Sequence, residues 1–173
     1  MNRPSCIGNY KEFLEKDEAH YPGSDETLSH GSPIGKRLGL TRIGVHIEIL
    51  APGRRTSWPH AESSEEEFAY VIEGNPSVWI DGNLYSLVPG DFVAFPAGTG
   101  ICHTFLNNTD KNCLLLVGGE ASKKENKIFY PLHPLRNEEM KTKGFLWTDC
   151  PLKSLGPHDG KPDALREKEN YNQ

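Results

Sequence analysis

Two histidines and a cluster of carboxylates are the residues of this chain whose types and spacing suit chemistry. His60 is followed by Ala61, Glu62 and two serines, then by Glu65-Glu66-Glu67, which opens the apolar run Phe68 to Ile72. His103 opens a second run, His-Thr-Phe-Leu. Imidazole and carboxylate together are ligands for divalent first-row metals such as Fe, Mn, Ni, Cu or Zn. A carboxylate turned into an apolar interior is costly unless it finds a partner. If Glu67 and the two histidines face one interior, a metal ion or the imidazoles themselves would offset that cost. Glu67 is preferred over Glu65 and Glu66 by its spacing to Gly74. Register is decisive here, because a slip of one residue sends every side chain to the other face of a sheet. No phosphate-binding loop, dinucleotide glycine pattern or nucleophile elbow accompanies these residues.

The elements that must position them read as short strands. Gly and Pro number 17 and 13 and fall as punctuation, with Pro-Gly at 22–23, 52–53 and 89–90 and Asp-Gly at 81–82 and 159–160. Leu40 to Leu50 alternates around Ile43, Val45, Ile47 and Ile49, as expected of a strand with one buried face. Further strands are expected at Glu67–Ile72, Ser77–Ile80, Leu84–Leu87, Phe92–Phe95, His103–Leu106 and Cys113–Val117. Asp81-Gly82-Asn83 makes the hairpin turn between two of them. Such closely spaced strands indicate a sandwich or barrel, in which alternate residues face inward. Glu67 would then share the interior with Ala69 and Val71, and His103 with Phe105. Cys102 would point the opposite way. Gly74, Gly82, Gly90 and Gly98 read as turn glycines, and Asn107 as a turn residue.

Taken together, Gly53–Gly74 and Gly90–Asn107 resemble the paired signature of the cupin superfamily, G-x5-HxH-x3,4-E-x6-G and G-x5-PxG-x2-H-x3-N. Glu67 and Gly74 fit E-x6-G, Gly90, Pro96 and Gly98 fit G-x5-PxG, and His103 and Asn107 fit H-x3-N. The resemblance is to small bacterial-type cupins, and it implies an all-β, double-stranded β-helix or jelly-roll barrel. It departs from the pattern in three places. Gly53 lies one residue further from His60, the Gly98–His103 loop is two residues longer, and Glu62 stands where the second histidine belongs. The implied metal ligands are therefore His60, Glu62, Glu67 and His103. The cofactor would be a divalent ion (Zn, Fe, Mn or Ni). Two alternatives stay open for Glu62: a second carboxylate ligand, or a solvated residue of the acidic loop. Family resemblance implies a dioxygenase, isomerase, epimerase, lyase or decarboxylase acting on an oxygen-rich or carboxylate-bearing small molecule. Fold alone does not choose among them. A non-catalytic module binding a sugar or organic acid is the rival reading.

Outside the barrel, assigned to residues 39–120, residues 1–38 form an N-terminal extension with a short polar helix expected within 10–20. Residues 121–173 form an irregular C-terminal extension that wraps the barrel with one short helix at most and ends in a mobile charged tail from Lys161. Arg54, Arg55 and Trp58 just before His60 are either substrate contacts at the rim or solvated residues. His46 faces either way, and His133 and His158 are expected at the surface unless the extension folds over the barrel mouth. Nineteen basic against 24 acidic residues leave a net charge of −5. That balance argues against nucleic acid and anionic membrane as partners. The four cysteines form no CxxC pair, and no signal-type or membrane-spanning stretch is seen, so a cytoplasmic protein with reduced thiols is expected. The cupin resemblance implies a homodimer.

Overall fold

The computed structural model describes residues 3–171. Ten strands and three α-helices follow in order: β1 (His30–Ser32), α1 (Ile34–Arg37), β2 (Ile43–Leu50), β3 (Ala61–Glu62), β4 (Glu67–Glu73), β5 (Ser77–Ile80), β6 (Asn83–Ser86), β7 (Phe92–Phe95), β8 (His103–Leu106), β9 (Cys113–Glu120), β10 (Ile128–Phe129), α2 (Pro134–Lys143) and α3 (Asp163–Tyr171). They form a five-stranded sheet, β1-β2-β9-β4-β7, a three-stranded sheet, β6-β5-β8, and the two-stranded pair β10-β3. The expected all-β barrel is thus present as two main sheets enclosing one core.

Strand alternation sets which side chains meet there. Ala69 and Val71 of β4 pack with Leu115 of β9, Val78 of β5 and Phe105 of β8 in a buried cluster. Asp81 and Gly82 make the β5–β6 turn with φ of 45° and 86°, the left-handed pair that a two-residue hairpin demands. Gly82 has a second constraint: a Cβ there would lie 2.2 Å from the backbone nitrogen of Gly156, which packs against the turn.

The outward faces of β5 and β8 are also apolar. Trp79, Cys102 and Leu106 pack with Trp147 and Cys150 in a second cluster, so the C-terminal segment lies over the three-stranded sheet. This segment is more regular than its composition suggests. Pro134 at the first turn and Gly144 in the left-handed conformation bracket α2, and α3 occupies the region from Lys161 where a charged tail was expected. On α3, Arg166 pairs with Asp159 and Asp163, and Glu169 pairs with Lys161. The N-terminal helix shrinks to a single 3-10 turn, Tyr10–Glu12, capped by Asn9. Beyond it the chain is held by tertiary contacts instead, Asp17 to Arg54 and the Glu15 carbonyl to the His30 ring.

Arg55 is not solvated. It is 1% exposed. Its guanidinium donates to both carboxylate oxygens of Glu26 (2.6 and 2.7 Å) and to the Gly160 carbonyl (2.8 Å). One buried ion pair therefore ties both extensions to the barrel. The Glu26 carboxylate also accepts from Trp58 Nε1 at 3.0 Å, and the Trp58 ring is stacked between Tyr21 and His133. Removing one partner of such a pair leaves an uncompensated buried charge. Arg55→Met should lose about 3–5 kcal/mol of stability in urea unfolding at neutral pH, and adding Glu26→Leu should recover most of it. A loss below about 1 kcal/mol, typical of exposed pairs, would contradict this role.

Candidate metal centre

His60 and His103 are brought together by their own backbones. His60 N–H donates to the His103 carbonyl (3.2 Å) and His103 N–H to the His60 carbonyl (2.9 Å), an isolated antiparallel bridge. The two rings lie side by side with centroids 5.1 Å apart. Glu67 opens β4, inward by the same alternation that buries Ala69 and Val71. Its cross-strand partners are Phe95 and Gly119. A Cβ at position 119 would sit 2.5 Å from the Glu66 carbonyl, so glycine lets the two backbones approach closely beside Glu67.

The three ligand atoms converge. Glu67 Oε2 is 3.3 Å from His103 Nε2 and 3.8 Å from His60 Nε2, and one atom from each residue lies within 4.8 Å of the others. His60 Nδ1 sits 2.9 Å from the Trp58 carbonyl. That carbonyl can only accept, so Nδ1 carries the proton and Nε2 turns its lone pair inward, the outer support that metal-binding imidazoles use. His103 Nδ1 faces the Ile101 carbonyl at 3.5 Å, and Phe95 stacks on the His103 ring at 3.4 Å. Glu67 Oε2 is buried and makes no hydrogen bond, since the approach of His103 does not close one. An orphaned carboxylate oxygen facing two inward imidazole nitrogens is the donor set and the deficit that a divalent cation satisfies.

Burial works to raise the pKa of Glu67, but the imidazoles of His103 and His60 outweigh it and hold the carboxyl at about 2. Burial pushes His103 down. Glu62 goes the other way: burial raises it to about 7, with His60 and Asn126 opposing.

Glu62 is not solvated, and it lies outside the converging group. Its side chain is 11% exposed, with Oε1 3.9 Å from His60 Nε2, yet it does not join the converging group. Its Oε2 instead accepts from Asn126 Nδ2. Tyr130 is buried beside His60, with ring centroids 5.9 Å apart. The space among Glu62, Glu67, Phe95 and His103 is about 10 Å³, room for one water or ion. Of the remaining histidines, His133 is half-buried against Trp58, His158 is half-buried with its carbonyl accepting from Trp79 Nε1, and His46 lies 3.8 Å from Glu48. Cys102 points away from the centre, into the second cluster. Asn107 is fully buried and bridges the Leu50 and Lys111 carbonyls. Asn126 and Tyr130 were not marked by any motif. Both lie in the extension, where no strand or helix period flags a residue that reaches the site.

Residues 46–118 match the family model described as "Cupin domain". The chain carries a cupin domain. Among solved structures, it is 28% identical to a putative sugar phosphate isomerase from Acidithiobacillus ferrooxidans, covering 60% of this chain and 65% of that one at a TM-score of 0.57. It is 33% identical to a sugar phosphate isomerase from a cupin superfamily of Silicibacter pomeroyi, covering 59% and 64%, again at 0.57. The chain thus spans just under two thirds of the length of these two proteins. The polyketide cyclase RemF from Streptomyces resistomycificus shares the fold over 84% of this chain and 99% of its own, at 19% identity and a TM-score of 0.58. No curated protein matches the sequence.

The carboxyl groups of this cupin domain give the metal-free protein a testable pH profile. Glu62 has a folded pKa raised above the ordinary 4.5. Between pH 4.5 and about 7 the unfolded chain has released this proton while the folded one keeps it, so stability falls as pH rises. Glu67, with its lowered value, contributes stability above pH 4.5 that is lost as pH falls toward 2. Urea-unfolding free energies measured from pH 3 to 8 should show Glu62→Gln flattening the upper slope. An unchanged slope between pH 5 and 7 would contradict the assignment.

Proposed function

We propose that His60, Glu67 and His103 hold a divalent metal ion and that the domain uses it on an oxygen-rich small molecule. The observation that carries this reading is the buried Glu67 oxygen without a hydrogen-bond partner, facing both imidazoles. A bound ion would supply a Lewis acid that polarises a carbonyl or hydroxyl oxygen of the substrate. The chain's own residues do the rest. The Trp58 carbonyl and the Phe95 ring orient the two imidazoles, and buried Phe95 and Tyr130 exclude water beside them. Isomerisation of a sugar phosphate is the first reaction to test, because two similar solved structures carry that description. Non-catalytic ligand binding is the second reading. It is favoured by Glu62 standing where the second histidine of the motif belongs.

We also read the domain as a homodimer of a reducing, cytoplasmic compartment. The outward face of the five-stranded sheet supports pairing: Phe92 is 60% exposed, and Ile43, Tyr70 and Ile72 are also exposed beside it. Among the described residues no helix is long and apolar enough to cross a membrane.

Protein purified without chelator or affinity tag should carry stoichiometric Fe, Mn, Ni or Zn by elemental mass spectrometry, and His103→Ala should lose it. Metal-dependent turnover of aldose or ketose phosphates would favour the enzyme reading, and saturable binding without turnover the second. Native protein that stays metal-free after reconstitution at neutral pH would overturn the proposal.

A further inference from the structure

We infer that Asn126 is a positioning residue that holds Glu62 away from the metal and so keeps the centre at three protein ligands. The inference rests on the metal-centre reading above.

Glu62 has the chemistry and the place of a fourth ligand. It sits two residues after His60, is nearly buried, and brings Oε1 within 3.9 Å of His60 Nε2. Its other oxygen is engaged by Asn126 Nδ2. The orientation of that amide is set by its far side. Asn126 Oδ1 accepts from the Ser64 backbone N–H at 3.0 Å and from the hydroxyls of Ser63 and Ser64, both at 3.3 Å. A backbone N–H can only donate, so the amide oxygen must face it and the NH₂ must face Glu62. Asn126 is itself buried.

The main chain delivers Asn126 to this position. In the β10–β3 pair, Ile128 stands opposite Glu62. Ser63 N–H donates to the Lys127 carbonyl (2.9 Å), and Lys127 N–H donates to Ser63 Oγ (2.8 Å). The residue that engages Glu62 thus comes from the C-terminal extension, outside the family-matched segment 46–118. A centre with three protein ligands retains open positions, which a catalytic ion uses for water or substrate. A fourth carboxylate would close one of them.

Two substitutions separate this role from simple support of the fold. Asn126→Asp keeps the acceptor for Ser63 and Ser64 and replaces the donor to Glu62 with a repelling carboxylate oxygen, while Asn126→Ala removes both without adding charge. Co²⁺ would be titrated into metal-free native protein and into Asn126→Asp, Asn126→Ala, Glu62→Ala, His103→Ala and the double variant Asn126→Asp/Glu62→Ala, reading affinity and visible absorption. Glu62→Ala should bind Co²⁺ as the native protein does. Asn126→Asp and Asn126→Ala should bind about 10- to 100-fold more tightly, the scale on which residues supporting metal ligands act. Their absorption should change as Glu62 enters the coordination sphere. The double variant should return to native affinity and spectrum, since the effect runs through Glu62. The inference is overturned if Glu62→Ala weakens binding as His103→Ala does, or if both Asn126 variants leave affinity and spectrum unchanged. Native Co²⁺ affinity in His103→Ala would instead overturn the metal centre itself, and this inference with it.

Discussion

Three potential metal-ligating atoms facing one another inside a barrel are the constraint on which the rest of this structure turns. Glu67 Oε2 and the Nε2 atoms of His60 and His103 converge, and Oε2 makes no hydrogen bond. Such an arrangement is unfavourable unless a proton or a cation is shared among the three. In the metal-free protein the neighbouring imidazoles of His103 and His60 hold Glu67 ionised against its burial. A divalent ion answers the same deficit more completely, with one neutral nitrogen from each histidine and one carboxylate oxygen. The surrounding packing keeps the three from relaxing apart. The two histidines share a backbone bridge, Phe95 lies flat on His103, and Gly119 lets the Glu66 backbone approach closely beside Glu67.

The extensions complete this centre, and a second buried charge secures them. Arg55 sits at the meeting point of three segments. Glu26 reaches it from the N-terminal side, the Gly160 carbonyl from the C-terminal side, and Arg55 itself belongs to the loop leading to His60. The Tyr21–Trp58–His133 stack lies on the same junction, and the Trp58 carbonyl in turn orients His60. Stability and site geometry are therefore coupled through a few residues upstream of the first histidine. The same extension carries Asn126 to Glu62 and Tyr130 to His60.

The barrel and the convergence of His60, Glu67 and His103 were legible because they obey local rules. The Asp81-Gly82 turn needs left-handed backbone, alternation in Glu67–Val71 has a period of two, and the His103 segment follows a glycine-punctuated strand. What escaped depends on contacts distant in sequence. A buried arginine looks like any surface arginine until Glu26 is seen 29 residues away. Asn126 lies in a polar stretch with no periodicity, and its partner Glu62 is 64 residues distant. Residues 10–20 carry helix-forming composition, but Asp17 and the Glu15 carbonyl are engaged by Arg54 and His30, and tertiary bonding prevails over local propensity. From Lys161 the opposite holds: charge suggested a solvated tail, while spaced Arg166 and acidic partners support a helix.

The central claim is that a metal ion sits among His60, Glu67 and His103. X-ray absorption fine structure of the metal-loaded native protein addresses it most directly, because it reports the ligand atoms around the ion whatever the substrate. The account predicts scattering from two imidazoles together with carboxylate and water oxygens in the first shell. A first shell of oxygen alone, without the imidazole multiple-scattering pattern, would contradict it.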